Sequence, residues 1–458
     1  MHWLRFPVLA AVAFAVIARS GRAETPAGEL IDRVWSGHPV SFAFLVEREH
    51  QFIAYYDAER RITLVGRKIG DEKWTRLQPP GAPAPREQRM SNVTGWDSHN
   101  YLRLALDRNG CVHLAGNMHV DPLVYYRTRA PFDVATLERL DRMTGEHEAR
   151  CTYPVFFKNA AGDLLFRYRD GSSGNGSDLY NLYEPATRTW RRQLDTPLLE
   201  GEGQRNAYAL DPVLGPDGRF HLVWMWRESP DCATNNHLSY ARSRDFIHWE
   251  NSRGEPLALP ITRATGDVID AAQPHDGLIN MTFNLGFDAE KNPVVVYHRY
   301  DAQHHSQIYA ARPRVAGGWD VRAISAWGFT WAFSGNGSIA AEVALGAPRL
   351  APDGTLLVDY ATRAAGDGRW RLRADPLERI AQLPPAPHAL PDELLRAQHP
   401  GMEVQSVVAR DHGRRYVLRW ETLPRNRDEP RAAAPPPTEL RLIELPEAET
   451  SDTERIGS

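Results

Sequence analysis

The sequence predicts an all-β fold, a seven-bladed β-propeller, on three observations. The 458 residues include 34 glycines and 34 prolines, so turns are frequent and long helices are disfavoured. Thirteen tryptophans and 16 tyrosines suit short, half-buried strands. A strand–turn–strand unit with an Asp/Gly turn and a closing aromatic recurs seven times.

The units follow in chain order. A degenerate copy, "QFIAYYDAERRITLVGRKIGDEKW", comes first, and "LALDRNGCVHLAGNMHVDPLVYYRT" is the second. The third is "FKNAAGDLLFRYRDGSSGNGSDLYNLYEPATRTW". The fourth, "VLGPDGRFHLVWMWRESPDCATNNHLSYARSRDFIHW", turns at Pro216-Asp217-Gly218 and closes on Trp249. "GFDAEKNPVVVYHRYDAQHHSQIYAARPRVAGGW" and "LAPDGTLLVDYATRAAGDGRWRLR" are the fifth and sixth, and the last spans "VQSVVARDHGRRYVLRW" to "ELRLIEL". The proline-rich "LPPAPHALPDELLRAQHP" reads as a connector with one helical turn, and "RNRDEPRAAAPPPTE" as a flexible loop inside the last unit. A unit of three or four alternating strands cannot bury both faces alone. Radial stacking solves this and leaves only short edges, whereas two stacked sandwiches is the alternative arrangement. Roughly 62 residues per unit exceeds the common 40–50, which places the surplus in loops, where sites are built.

The start, "MHWLRFPVLAAVAFAVIARSGRAETPAG", has a basic residue at Arg5, an apolar run from Phe6 to Ala18 and small residues at Gly21 and Ala23. It reads as a signal peptide over 1–23, leaving one propeller domain over 24–458 and a periplasmic or secreted protein. No later segment has the apolar length of a spanning helix, so no membrane partner is expected. The formal charge of −4 offers no basic field for nucleic acid. Three cysteines, Cys111, Cys151 and Cys232, are too few for a disulfide framework, though one pair can form where the compartment is oxidising. A monomer is expected.

The stretch "DSHNYLRLALDRNGCVHLAGNMHVDPLVYYR", Asp97 to Arg127, reads as two strands joined at "DRNG". His99 and His119 bracket it twenty residues apart, where a strand edge has no structural need for imidazole. Further on, Tyr153 is followed sixteen residues later by Arg169. The pieces "WDSHNYLRLALDRNGCVHLAGNMH", "CTYPVF", "LLFRYRDGSSGNG" and "LSYARSRDFIHWENSRGEPLALPI" carry a resemblance over nearly the whole mature chain. The chain resembles the BNR-repeat, neuraminidase-like seven-bladed propeller proteins, which include the ulvan lyases. That resemblance implies a catalytic set of two histidines, a tyrosine and an arginine, matched here by His99, His119, Tyr153 and Arg169. A further active-site tyrosine falls at Tyr208 in "RNAYALDP". The sialidase label fits poorly: the nearest stretch to S-x-D-x-G-x-T-W, "SRDFIHW", lacks the glycine and reads as a structural turn, and no set of three arginines stands out.

The chemistry these residue types suit is β-elimination on a uronic acid within an acidic polysaccharide. A base takes the C5 proton, the 4-linked sugar leaves, and the adjacent carboxylate must be neutralised so that charge can spread onto it. Arg169 suits the last task through its permanently charged, bidentate fork. Tyr153 suits base or acid, and His99 and His119 suit base, acid or carboxylate partner. Asn175 in a Gly/Ser loop, and His298 and Arg299 in the basic, aromatic run "VYHRYDAQHHSQIY", are candidate substrate-binding residues. No cofactor is required by this chemistry. The "PDCATNNH" segment, with Cys232, His237 and then His248, leaves room for a structural zinc or calcium ion without a recognised metal spacing. Two other functions compete: a glycoside hydrolase of the same fold, rhamnosidase- or sialidase-like, and a non-catalytic carbohydrate-binding propeller.

Overall fold

The computed structural model describes residues 28–84 and 88–446. The signal peptide expected over 1–23 lies outside the described residues. The chain is all-β: among the described residues, seven antiparallel sheets of four or more strands follow one another, with one short two-stranded ribbon, Pro83–Ala84 with Arg89–Met90. Each large sheet contains one of the sequence units. Among the described residues the one α-helical turn, Asp392–Leu395, falls in the proline-rich connector where it was expected.

The strands form for the reasons their sequences suggest. In the second sheet, Leu102–Leu106 and Val112–Gly116 are mostly apolar, and Asp107 closes the turn between them by accepting from the Cys111 N–H through Oδ1 at 2.8 Å. The Ser243–Trp249 stretch is a turn as predicted, with Ser243 Oγ accepting from Phe246 N–H and Asp245 Oδ1 accepting from Ile247 and His248 N–H. The last sheet joins the two ends of the described chain: Glu29–Val34 pairs antiparallel with Thr438–Pro446, beside Arg414–Thr422 and Glu403–Asp411. The core consists of apolar faces between neighbouring sheets, and its largest buried side chains are aromatic, including Trp224, Trp226, Trp370 and Trp420. The three cysteines are separate buried thiols, so no disulfide links them.

One glycine is fixed by the close approach that positions the His99–His119 hairpin. Gly116 has φ 150°, and a Cβ there would lie 2.2 Å from the Tyr101 carbonyl oxygen and 2.9 Å from Leu102 Cα. The register Leu102↔Gly116 closes the open end of the hairpin, from which His99 and His119 project. Gly116→Ala is therefore expected to lower unfolding free energy by more than about 1 kcal/mol, because neither the dihedral nor the space suits an L side chain. Denaturant titration of the variant against the parent checks this.

Candidate active site

The open end of the hairpin leads into two different sheets. Asp97 and His99 precede Leu102–Leu106, while His119–Asp121 leaves the hairpin and pairs with Cys151–Lys158 of the next sheet, with His119 opposite Thr152. The join is strained. Asn117 (φ 57°), Val120 (φ 62°) and Tyr153 (φ 58°) all lie in the left-handed region, and the ladders shift register between His119 and Asp121 and between Thr152 and Val155. β-Branched and aromatic side chains are rarely held there, and such strain clusters where a site must re-aim side chains. Local bonds hold it: Thr152 Oγ1 accepts from the Val120 N–H at 2.8 Å, and Asn117 Nδ2 donates to the Ser91 and Val93 carbonyls.

Asp97 ties the two histidines together. Its Oδ1 accepts from His99 Nδ1 at 2.6 Å and from the His99 backbone N–H at 2.9 Å, and its Oδ2 accepts from His119 Nδ1 at 2.5 Å. The rings stack 4.1 Å apart. With each Nδ1 bonded to the carboxylate, the Nε2 edge of each ring is turned away from it. Burial alone would raise the Asp97 carboxyl, but the hydrogen bonds from His119 and His99 outweigh it and hold the group well below the usual carboxylate range. Burial would lower His99. The Asp97 bond, and the charges of Asp97 and Asp428, reverse that and raise it. Burial, and then the charge on His99, lower His119 to about 4. The two rings are thus driven apart, His99 toward its charged form and His119 toward its neutral one.

Two phenols face this stack. Tyr153 lies 5.6 Å from the His99 ring and 5.9 Å from the Tyr208 ring, both edge-on. Tyr208 Oη accepts from Arg227 Nη1 at 3.0 Å, lies 2.9 Å from Ser173 Oγ, and has the Arg227 guanidinium 4.0 Å above its ring. Burial would raise Tyr208, but Arg227, Arg169 and the Ser173 bond lower it to about 7. Burial, and then the neighbouring Tyr208, push Tyr153 well above the ordinary phenol range.

The structure brings His99, His119, Tyr153, Arg169 and Tyr208 together, although they span more than a hundred residues. Arg169 is placed differently from the carboxylate grip its chemistry suggested. The residue is 1% exposed, and its guanidinium sits behind the cleft, 4.9 Å from the Tyr153 ring and 6.0 Å from the Tyr208 ring. Nη2 donates to Thr152 Oγ1 at 3.2 Å, and Nε and Nη1 have no partner among the described residues. Its charge acts on the phenols from below. Three expected substrate-binding residues lie elsewhere. His298 is fully buried, with Nδ1 2.6 Å from the Gly277 carbonyl, because alternation in Pro293–Tyr300 turns Val294, Val296 and His298 to one inner face. Arg299 points the other way, pairing with Asp270 at 2.7 Å and stacking over Tyr309. Asn175 is exposed at a hairpin end opposite Ser172, beside the cleft wall rather than in it.

The walls enclose a cleft of about 970 Å³ that receives residues from all seven sheets or their connections. Five arginines line it, Arg60, Arg89, Arg227, Arg425 and Arg427, against two acids, Asp97 and Asp428. The sequence reading found no such arginine set, because its members are scattered over more than 360 residues. Arg60 stacks its guanidinium on Trp35 and Trp96, at 3.8 and 4.9 Å. The segment containing "RNRDEP", a loop within the last sheet as expected, forms part of this wall. Asp97, Arg227 and Asp428 are the site residues the sequence reading missed. The visible signal was "WDSH", an Asp two residues before a candidate histidine.

Asp97, His99 and His119 also hold potential metal-ligand atoms within 4.8 Å of one another, the one such group among the described residues. Cys232, His237 and His248 do not form one. His237 bonds to Asn236 and His248 to Asp245. In the trio the Nδ1 atoms and the carboxylate already satisfy each other.

Residues 50–327 match the BNR repeat-containing family. An ulvan lyase, long isoform, of Alteromonas sp. (strain LOR) is 28% identical over 229 residues, which is 39% of this chain and 23% of that protein. One from Pseudoalteromonas sp. (strain PLSV) is also 28% identical, over 228 residues, with the same shares. The chain thus spans about a quarter of the length of the curated relatives it matches. Among solved structures, the polysaccharide lyase Uly1 superposes with a TM-score of 0.56 at 16% identity, covering 93% of this chain and 95% of that one. A polysaccharide lyase PL25 ulvan lyase, also solved bound to -[GlcA(1-4)Rha3S]-, does so with 0.57 at 11% identity, covering 91% and 95%. These likenesses show a shared fold.

The phenol geometry makes a spectroscopic prediction. An ultraviolet pH titration is expected to show one tyrosine ionising near 7, absent in Tyr208→Phe and shifted upward in Arg227→Met. A titration identical in all three proteins would contradict the placement of the charge. By its matched span, the chain belongs to the BNR repeat-containing family.

Proposed function

We propose that the protein is a secreted polysaccharide lyase that cleaves a uronic-acid-containing glycan by β-elimination, and that its seven sheets are the blades of one propeller domain. Contribution of the seven sheets, or of the connections between them, to one cleft, with the first and last described strands sharing a sheet, supports the blade arrangement. The observation that carries the chemistry is the pair of adjacent phenols of which only one is bonded to a guanidinium. Environments that push two like groups apart mark an acid and a base.

In this reading Tyr208, as phenolate, takes the C5 proton, and Tyr153, which keeps its proton, donates to the leaving O4. The C5–H bond breaks, its electron pair forms the C4–C5 double bond, and the C4–O bond breaks with proton transfer from Tyr153. The His99 imidazolium and the cleft arginines oppose the charge that spreads onto the uronate carboxylate. His119, neutral and bonded to Asp97, holds the stack in register. Arg169 steadies both phenols from behind. An arginine-lined cleft in a chain of net charge −4 suits an anionic polymer. The ulvan lyases among its relatives support the substrate class. No step needs a metal, and turnover is expected to survive exhaustive chelation.

A tyrosine of lowered pKa among arginines also suits a tyrosine nucleophile, the route sialidases take to hydrolysis. An acid–base pair of carboxyls is less favoured: Asp97 is held ionised, and Asp428 accepts three hydrogen bonds.

The test incubates the purified protein with glucuronate-containing polymers and follows both ultraviolet absorbance of the unsaturated product and new reducing ends. Both signals should rise together, and turnover should climb with pH through about 7 as Tyr208 ionises. Tyr208→Phe and Tyr153→Phe should each lower turnover by about 10²–10⁴ while binding survives. Reducing ends without unsaturated product would establish hydrolysis. Binding without either signal would leave a carbohydrate-binding protein.

A further inference from the structure

The segment after Arg414–Thr422 leaves the last sheet and runs to the cleft, where it meets two distant parts of the chain. Asp428 joins them. Its Oδ1 accepts from the Ser98 N–H at 3.0 Å and from Ser338 Oγ at 2.9 Å, and its Oδ2 accepts from the Ser338 N–H at 2.9 Å. Arg427 adds donations from Nη1 to the Ser334 and Asn336 carbonyls, and its own carbonyl leaves no room for a Cβ at Gly337, 2.3 Å away. Arg427 (φ 62°) and Asp428 (φ 61°) both occupy the left-handed region, so the segment is bent to make these contacts.

The histidine stack lies against this junction. Asp97 accepts from both rings, and Asp428 Oδ2 lies 3.7 Å from His99 Nδ1. We infer that Asp428 is a positioning residue that favours the charged form of His99 and fixes the Ser98–His99 turn against the 334–338 segment. This deepens the proposed lyase site and rests on His99 belonging to it. The groups facing His99 from the packed elements are Asp97 on its own turn, His119 on His119–Asp121, Tyr153 on Cys151–Lys158, Tyr208 on Asn206–Ala209, and Asp428 on this segment. Two of these are carboxylates, Asp97 and Asp428. Burial opposes the charge on His99, and the Coulombic pull of Asp428 is among the causes that restore it.

The experiment follows the His99 ring by NMR pH titration in the free protein, in parent, Asp428→Asn and Ser338→Ala. Asparagine keeps the shape and removes the charge. Ser338→Ala keeps the charge and removes one of the bonds that hold the segment. The inference expects the His99 transition to move to lower pH in Asp428→Asn and to stay near the parent's in Ser338→Ala. The alkaline limb of the lyase pH profile should move the same way in Asp428→Asn. A folded Asp428→Asn protein with an unmoved His99 transition overturns the inference. So does an equal shift in both variants, which would mean that the segment acts only by packing. Because the titration needs no substrate, absence of lyase activity would count against the proposed function alone.

Discussion

The site depends on one buried carboxylate accepting from two imidazoles that belong to different sheets. Asp97 and His99 lie on the turn leading into the second sheet, and His119 lies on a strand of the third. An ionised carboxylate away from water is costly unless its oxygens are filled, and here each oxygen accepts a ring N–H. That satisfaction requires the His119 segment to leave its hairpin and cross to the next sheet. The neighbouring contacts serve the same end: Arg89 pairs with Asp121 at 3.3 Å and donates to the Asn117 carbonyl, which holds the crossing segment from both sides.

The crossing explains the local backbone. A chain that passes from one sheet to another within a few residues cannot keep ladder geometry, and Gly116, Asn117 and Val120 absorb the change in left-handed conformations. Tyr153 absorbs it on the receiving strand, where the register shift turns its ring toward His99 and Tyr208. A regular strand there would alternate Thr152, Tyr153 and Pro154 between faces and leave no phenol at the histidines. Strain and function thus occupy the same residues.

Much of this was legible in the sequence. The seven units announced themselves through Asp/Gly turns and closing tryptophans, because each sheet must reverse tightly and bury one large aromatic. His99 and His119 were legible because imidazoles at strand ends have little structural use, whereas Tyr153 and Tyr208 stood out through the family resemblance. Asp97 was hidden because an Asp before Ser-His looks like an ordinary turn cap, and it is one, accepting from the His99 N–H as well. Arg227 was hidden at the end of the fully buried strand Phe220–Arg227. Asp428 was hidden by the Pro/Ala-rich composition around it, which reports low strand propensity and says nothing of three well-placed hydrogen bonds. His298 and Arg299 misled in the opposite direction: a basic, aromatic run drew attention, while period-2 alternation sent one side chain into the core and the other to Asp270.

Charge placement separates a reactive cleft from a merely adhesive one. A surface that only binds an acidic polymer needs cations facing solvent, and Arg60, Arg425 and Arg427 on the walls are enough for that. It has no use for Arg169, which is 1% exposed, faces no carboxylate, and sits beneath two phenols. Burying such a charge is unfavourable, so the stabilisation it gives must fall on something that becomes negative nearby. Tyr208, already bonded to Arg227, is the group that can do so near neutral pH. In the proposed lyase, a Tyr208 driven toward phenolate, beside a His99 driven toward its charged form and a Tyr153 that keeps its proton, is a proton-transfer arrangement held ready before substrate arrives, and preorganisation of this kind is what a transition state, rather than a bound ligand, requires.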